Sequence, residues 1–187
     1  MQRISIIGGP GSGKTTLARA LGERLGLPFF HLDNLFWRPG WVEGDRKELA
    51  AKVREITKGD AWVIEGNYSV TWPDRIARSD TLIHLDVGTP LRFWRVLVRG
   101  LRHYGQVRPD FAEGCREQLD PAFLRFVLAY RKRPRDRALA LLRDAPDHLA
   151  CYRLQGPAAA RAFLASVSGG TQGRPSDRPA TPLPGRC

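Results

Sequence analysis

Residues 3–16 read RISIIGGPGSGKTT, and this stretch decides the fold. Arg3–Ile7 (RISII) is a compact, mostly apolar run of the kind that forms a buried strand. The next nine residues, Gly8, Gly9, Pro10, Gly11, Ser12, Gly13, Lys14, Thr15 and Thr16, match the pattern G-x-x-x-x-G-K-[ST]. Behind them Leu17, Leu21 and Leu25 recur at four-residue spacing and Gly26 supplies a stop, so an amphipathic helix is expected. Strand, glycine loop and helix in this order build an anion nest. The glycines let successive N–H groups turn inward, and the helix adds the positive end of its dipole. In such a loop Lys14 reaches the β- and γ-phosphates of a nucleotide and the Thr15 hydroxyl ligates Mg²⁺. Gly8 to Thr16 are therefore the expected nucleotide-binding residues, with ATP and Mg²⁺ as cofactors. A dinucleotide fingerprint fails on register, because neither Gly9-x-Gly11 nor Gly11-x-Gly13 has a third glycine three residues on.

Outward from the loop, Phe29–Leu32, Ala61–Glu65 (AWVIE), Thr81–Asp86 (TLIHLD) and His148–Leu154 (HLACYRL) read as four further strands. Asp45 and Glu48 form a capping box ahead of the stripe Leu49, Val53 and Ile56. Thr89-Pro90 and Asp120-Pro121 start helices with proline at the first helical position, and Ala158–Val167 is a closing helix. Strands alternating with helices predict an α/β fold of three layers, its five-stranded parallel sheet covered on both faces. The folded domain is expected over residues 1–167. From Ser168 to Cys187 there are four Gly, four Pro and no aromatic residue. That segment has too little apolar surface to offset its ordering entropy, so a disordered tail is expected.

The composition suits one globular domain: 187 residues, 42% hydrophobic and 26% charged, which excludes a wholly disordered chain. Cys115, Cys151 and Cys187 form no CxxC pair and no zinc spacing, so reduced thiols and a cytoplasmic location are expected. No apolar run approaches the roughly 18 residues of a membrane span, and the N-terminus opens into a strand rather than a signal peptide. The net charge of +11 points to an anionic ligand. Residues 92–143 carry 13 Lys or Arg against five Asp or Glu, which concentrates most of that surplus in one segment. There Arg92, Arg95, Arg99 and Arg102 recur at three- and four-residue spacing on one helix face. Such a face can clamp a transferring phosphoryl group, lie solvated, or neutralise a nucleic-acid backbone.

The loop Gly8–Thr16 resembles that of adenylate kinases and of shikimate and gluconate kinases. With His31-Leu32-Asp33-Asn34, Trp62–Tyr68 (WVIEGNY), Thr81–Asp86, the arginine-rich helix and Arg108-Pro109-Asp110, residues 1–165 are more specifically similar to the bacterial DNA topology modulation protein group, adenylate-kinase-like P-loop NTPases. The resemblance implies a P-loop NTPase fold of nucleoside-monophosphate-kinase type, with strands ordered 2-3-1-4-5 and a helical lid inserted at about 92–143. It implies transfer of the ATP γ-phosphoryl group to a nucleotide or another small acceptor. Adenylate kinases carry Asp-Gly-Phe-Pro-Arg after the third strand, where this chain has Glu65-Gly66-Asn67-Tyr68, so the resemblance does not extend to AMP as acceptor.

In an open α/β sheet ligands bind beyond the carboxyl ends of the strands, where Asp33, Glu65 and Asp86 fall. Glu65 ends its strand in the manner of a Walker B acid and is expected to hold Mg²⁺ through a bound water. Asp33 resembles the acid that faces the acceptor hydroxyl in shikimate kinase. It is expected to bind the acceptor or take its proton, or else to cap the loop at Asn34. Asp86 is expected to close its strand and help cap the helix at Pro90, and His31 and His84 to be satisfied core residues. Lys14, Arg95 and Arg99 are expected to neutralise the transferring group. Arg131, Arg135 and Arg137 would close from a second lid helix, and Arg75 would hold an acceptor phosphate or carboxylate as a planar fork. Between Phe29 and Trp41 lie five aromatic residues; Phe29 suits the core, whereas Trp37 and Trp41 suit a pocket or a lid. Two alternatives remain open: a nucleotide-dependent DNA-binding protein affecting DNA topology, and an ATPase whose acceptor is water. No helix-turn-helix or zinc module is present to support the first.

Overall fold

The structure is a computed structural model that describes residues 1–108, 111–130 and 134–168. In chain order its elements are β1 (Arg3–Gly8), α1 (Lys14–Leu25), β2 (Phe29–His31), α2 (Leu32–Phe36), β3 (Trp37–Arg38), β4 (Val42–Glu43), α3 (Arg46–Thr57) and β5 (Trp62–Glu65). There follow α4 (Trp72–Arg78), β6 (Thr81–Leu85), α5 (Thr89–Arg102), α6 (Pro121–Ala129), α7 (Pro134–Arg143), β7 (Ala150–Leu154) and α8 (Gly156–Ser166). The main sheet is ordered β2-β5-β1-β6-β7 and every pairing in it is parallel. This is the order the resemblance implied. The short strands β3 and β4 form a separate antiparallel hairpin.

Alternation along the strands explains why both faces are covered. On β1, Ile4 and Ile6 face α1 and α8, where they pack with Leu17, Leu21, Leu154 and Phe163. Ile7 turns to the other face and meets Leu82, Ala138 and Leu142 of β6 and α7. On β5, Val63 joins the first cluster, whereas Trp62 and Ile64 pack against Leu49 and Val53 of α3. All of β5 and β6 is buried, as a parallel sheet sandwiched between helices requires. Each large aliphatic residue buried there contributes about 1.5–3 kcal/mol.

The expected strand ends hold to within two residues, and Asp45 caps α3 by accepting from the Lys47 N–H at 2.7 Å. The sequence reading missed the seven-residue α4 and the β3–β4 hairpin. Both are too short to show a hydrophobic period. Between β6 and β7 stand α5, α6 and α7, the segment expected to form a lid. Residues 169–187 of the expected tail, and Arg131, lie outside the described residues. Among the described residues no helix is long and apolar enough to cross a membrane.

Candidate active site

The phosphate loop runs from the end of β1 into α1. Ser12 N–H donates to the Gly9 carbonyl at 3.1 Å and closes the turn. Gly13, at φ 92°, stands at the N-cap of α1 and supplies no side-chain cap, which leaves the first-turn N–H groups for a ligand. Gly11 has φ 75°, and a Cβ there would lie 2.5 Å from the Arg92 carbonyl oxygen, so only glycine fits. Asn67 clamps the loop's root from β5's side. Its Oδ1 accepts from Gly8 N–H at 2.9 Å and its Nδ2 donates to the Gly8 carbonyl at 2.7 Å.

Glu65 is fully buried beside the loop. Its Oε1 accepts from the Thr15 hydroxyl at 2.9 Å and also contacts His31 Nδ1. Its Oε2 faces Lys14 Nζ at 3.8 Å and has no hydrogen-bond partner among the described residues. Burial alone would raise this carboxyl; Lys14, His31 and Thr15 outweigh it and hold the group down at about 2. Asp33, at the start of α2, accepts from the Tyr68 hydroxyl at 2.6 Å, and its Oδ2 lies 3.7 Å from His31 Nε2. Burial and the Asp33 charge push the Tyr68 phenol far above its ordinary range. The carboxylate of Asp33 thus serves Tyr68 rather than capping the loop at Asn34. His31 is not an inert core residue either. The parallel register pairs His31 with Glu65 across β2 and β5, which brings its ring between the two carboxylates. The block Gly66-Asn67-Tyr68 was visible in the sequence, but its two roles required the fold.

The arginines divide. Arg95 Nη1 donates to the Ser12 carbonyl at 3.4 Å and so lies against the phosphate loop. Arg99, one turn on, ion-pairs through Nε with Glu117 at 3.1 Å. Arg92 is buried; it donates to the Val87 carbonyl at 3.0 Å and its guanidinium stacks 4.8 Å from the Tyr130 ring centre. Arg75 is not an acceptor fork. It is 1% exposed and its guanidinium donates to the carbonyls of Gly66 at 2.8 Å and Ile64 at 3.2 Å, and to Ser5 Oγ at 3.3 Å. Burial lowers it to about 10 against the opposing pull of Glu65. It ties the carbonyl ends of the sheet together, and no ligand can reach it. Asp86 does not cap α5, whose N-cap is Gly88. It binds Arg135 through both oxygens at 2.7 and 2.8 Å and Arg153 at 2.6 Å, and these cations hold it near 2. Arg135 therefore pins α7 to the end of β6, while Arg137 is exposed. His84 is fully buried with neither ring nitrogen hydrogen-bonded among the described residues, the opposite of a satisfied core histidine.

A cleft and a group of aromatic side chains flank the loop. On one side a cleft of about 380 Å³ opens between Gly9, Tyr130, Arg92, Arg153 and Gly156. On the other, aromatic side chains roof the Asp33 region. Phe111 lies edge-on to His31 at 5.7 Å and near Trp41 at 4.9 Å, and Trp41 meets Trp37 at 5.5 Å. Phe29 packs in the core, as expected. Trp41 holds a left-handed backbone, φ 62°, and donates from Nε1 to the Arg116 carbonyl at 2.6 Å.

A model of the ATPase family associated with various cellular activities matches residues 4–64, from β1 to β5. The Bacillus subtilis "Uncharacterized protein YqaC" is 27% identical over 136 residues, 69% of this chain and 72% of that protein. A Thermococcus onnurineus protein named "Putative adenylate kinase" is 38% identical over 73 residues, and the match spans 35% of this chain and 41% of that protein's length. Among solved structures, a shikimate kinase from Acinetobacter baumannii, in complex with shikimate, superposes with a TM-score of 0.53 at 19% identity, covering 88% of this chain and 89% of that one. The chain has the P-loop NTPase fold and, over part of its length, is similar to proteins named as putative adenylate kinases.

Proposed function

We propose that the chain is an ATP-dependent phosphotransferase that passes the γ-phosphoryl group to a hydroxyl of a small acceptor held beside Asp33. One observation carries this reading. The loop cluster Lys14–Thr15–Glu65 and the carboxylate Asp33 stand on the two sides of one histidine, so nucleotide and acceptor ends meet at the same strand ends. A plain ATPase has no need of a second carboxylate oriented by Tyr68. The working unit is residues 1–167 with a lid at about 92–143, and reduced thiols favour the cytoplasm.

The residues present fit Mg²⁺. The Thr15 hydroxyl and Glu65 Oε2, which has no hydrogen-bond partner among the described residues, are hard oxygen ligands, and Mg²⁺ takes few protein ligands and keeps its waters. When bound there, the ion would supply positive charge to offset that of the phosphates. Lys14 adds its own positive charge at the phosphates, and the first-turn N–H groups of α1 hold them. Arg95, against the loop, covers the transferring group. Asp33 aligns the acceptor hydroxyl and can take its proton as the new P–O bond forms. The cleft beside Gly9 is of a size for a planar base, with Tyr130 and Arg92 in its lining.

Lys14→Ala tests the reading. It should lower Mg·ATP affinity or turnover by roughly a hundred-fold or more. The chain should still fold, because Thr15 and His31 continue to hold Glu65. Calorimetric titration with Mg·ATP, and ADP formation across a panel of hydroxylated metabolites, measure this; unchanged affinity and turnover would overturn it.

A further inference from the structure

Helix α5 is amphipathic the wrong way round for a surface helix, which ordinarily turns its polar residues to water and its apolar ones to the core. Leu91, Trp94, Val98 and Leu101 recur at i, i+3, i+7 and i+10 and form one stripe along it. That stripe faces outward: Trp94 and Leu101 are 61% and 60% exposed, and Leu91 37%. The buried line is Arg92, Val96 and Gly100, on the opposite side. Arg95 and Arg99 are turned in to Ser12 and Glu117. Helix α6 packs antiparallel beside α5. Arg92 donates to the Val127 carbonyl at 3.3 Å near one end, and Leu119 fills the space beside Gly100 near the other. Phe126 and Leu128, 47% and 53% exposed, thereby come level with the first turns of α5, where Leu91 and Trp94 stand. An exposed apolar stretch of this extent marks a surface that something covers.

Charge decides what covers it. Helices α5 and α6 contain no Asp or Glu. The two acids that lead into α6 are engaged, Asp120 as its cap and Glu117 with Arg99 and Arg108. The apolar stripe is bordered instead by the exposed Arg102 on α5 and Arg125 on α6, in a chain whose net charge is +11. A second copy would set these arginines against their own kind, with no acid on either helix to pair them. Residues 169–187 hold Leu183 as their single large apolar side chain and carry three arginines against one aspartate, so they supply neither apolar surface nor anions. The occupant that matches is apolar within and anionic at its face. Trp, Leu and Phe seat at the boundary between acyl chains and head groups, while arginines beside them reach the lipid phosphates. Trp94 and Leu101 stand out from the helix rather than line a groove, which suits a fluid surface that needs no matching shape. We infer that the exposed faces of α5 and α6 form a peripheral membrane-binding surface for a bilayer with anionic head groups. Membrane binding here stands apart from the phosphotransferase reading, since no residue of the stripe belongs to the phosphate loop or to the groups around Asp33.

The full chain is sedimented with vesicles of equimolar phosphatidylglycerol and phosphatidylcholine, and with vesicles of phosphatidylcholine alone, at low and high salt. It should bind the anionic vesicles at low salt, and the neutral vesicles about ten-fold or more weakly. Trp94→Ser combined with Leu101→Ser alters exposed side chains only, so melting temperature and Mg·ATP affinity should stay as in the parent. Affinity for the anionic vesicles should nevertheless fall about ten-fold or more. Arg102→Glu with Arg125→Glu should weaken it to a similar degree, about ten-fold, by reversing charge at the border of the stripe. Lipid brominated on its acyl chains should quench the parent's tryptophan fluorescence. It should quench Trp94→Phe, which keeps the apolar stripe and still binds, distinctly less. Membrane binding is overturned by no sedimentation with anionic vesicles at low salt, or by equal quenching in Trp94→Phe. A serine variant that binds as tightly as the parent overturns it too, by reducing the effect to net charge. So does a parent that is dimeric without lipid beside a monomeric serine variant, which makes a second copy the occupant. Loss of affinity in the serine variant for a single-stranded oligonucleotide, with vesicle binding unchanged, would overturn it in favour of stacked bases.

Discussion

Burying an imidazole with neither nitrogen partnered penalises its charged form, and His84 carries that penalty in the middle of the sheet. Burial lowers it from 6.5 to about 4; Arg135 and Arg153 push the same way, and Asp86 opposes them. In the unfolded chain the ring takes its proton near 6.5, whereas in the folded chain it refuses until about 4. Between those values the unfolded state binds more protons, so stability falls as pH is lowered, by about 3 kcal/mol in all. His84→Leu should remove this arm of the acid transition and cost little at neutral pH, since no hydrogen bond is lost. Urea melts from pH 7 to 4 measure it, and a variant as acid-sensitive as the parent would refute the assignment. A second arm should persist in the variant. Asp86 is held near 2 by Arg135 and Arg153, so its contribution is present above 3.8 and lost as pH falls towards 2. The same scale shows which residues a sequence can disclose. Lys14 and Thr15 are legible because their partners are neighbours in the chain. His31 and Arg75 are not, because one is defined by a strand register and the other by backbone carbonyls of β1, β5 and the turn after β5, which leave no mark in side-chain patterns.

Elements assemble these residues by register and by tethering. The five sheet strands were readable from their apolar runs, most plainly the central β1, β5 and β6, since a strand buried on both faces has little freedom of composition. The elements beside His31 and Asp33 were not, because they are tied by single contacts rather than by periodic packing. Val107 bridges Arg116, Glu117 N–H donates to the Gln106 carbonyl at 2.8 Å, and the resulting strap reaches the β3–β4 hairpin. Three tethers join the two: Gly40 N–H to the Gly114 carbonyl at 3.1 Å, Cys115 Sγ to the Arg38 carbonyl at 3.2 Å, and the Trp41 indole to the Arg116 carbonyl. Trp41 pays for its tether with a left-handed backbone that a side chain disfavours. Trp41→Phe keeps most of the ring stacking and deletes only the indole bond, worth about 1 kcal/mol. Local opening of the strap should become about five-fold more frequent while global stability hardly changes. Hydrogen exchange read on residues 111–117 tests this, and unchanged exchange there would mean that the other two tethers suffice.

At the scale of the whole molecule the net charge of +11 is the feature that keeps nucleic acid in view as a partner. Charge matters to DNA only where it is displayed, and the arginine helix displays little of it on one face. Arg92 is buried against Tyr130, Arg95 rests on the phosphate loop and Arg99 is paired with Glu117, while Arg102 is exposed and the most exposed large hydrophobic residues of α5 are Trp94 and Leu101, at 61% and 60%. Three of the four arginines of the stripe that looked basic in sequence are thus turned inward, and Arg102 alone of the four is exposed. Weak, salt-dependent attraction to duplex DNA should remain, as for any chain of this charge, but it should not pass through Arg95 or Arg99. Changing both to Ala should lower phosphoryl transfer by about a hundred-fold or more, since groups aimed at a developing charge act chiefly on turnover. The double variant should bind DNA with the same affinity at fixed salt and the same slope against salt as the parent. ADP formation with an acceptor, and DNA binding across a salt series, decide the matter on one protein. A slope reduced by about two units, one for each lost phosphate contact, with transfer untouched would turn the arginine helix from a lid over phosphates into a nucleic-acid surface.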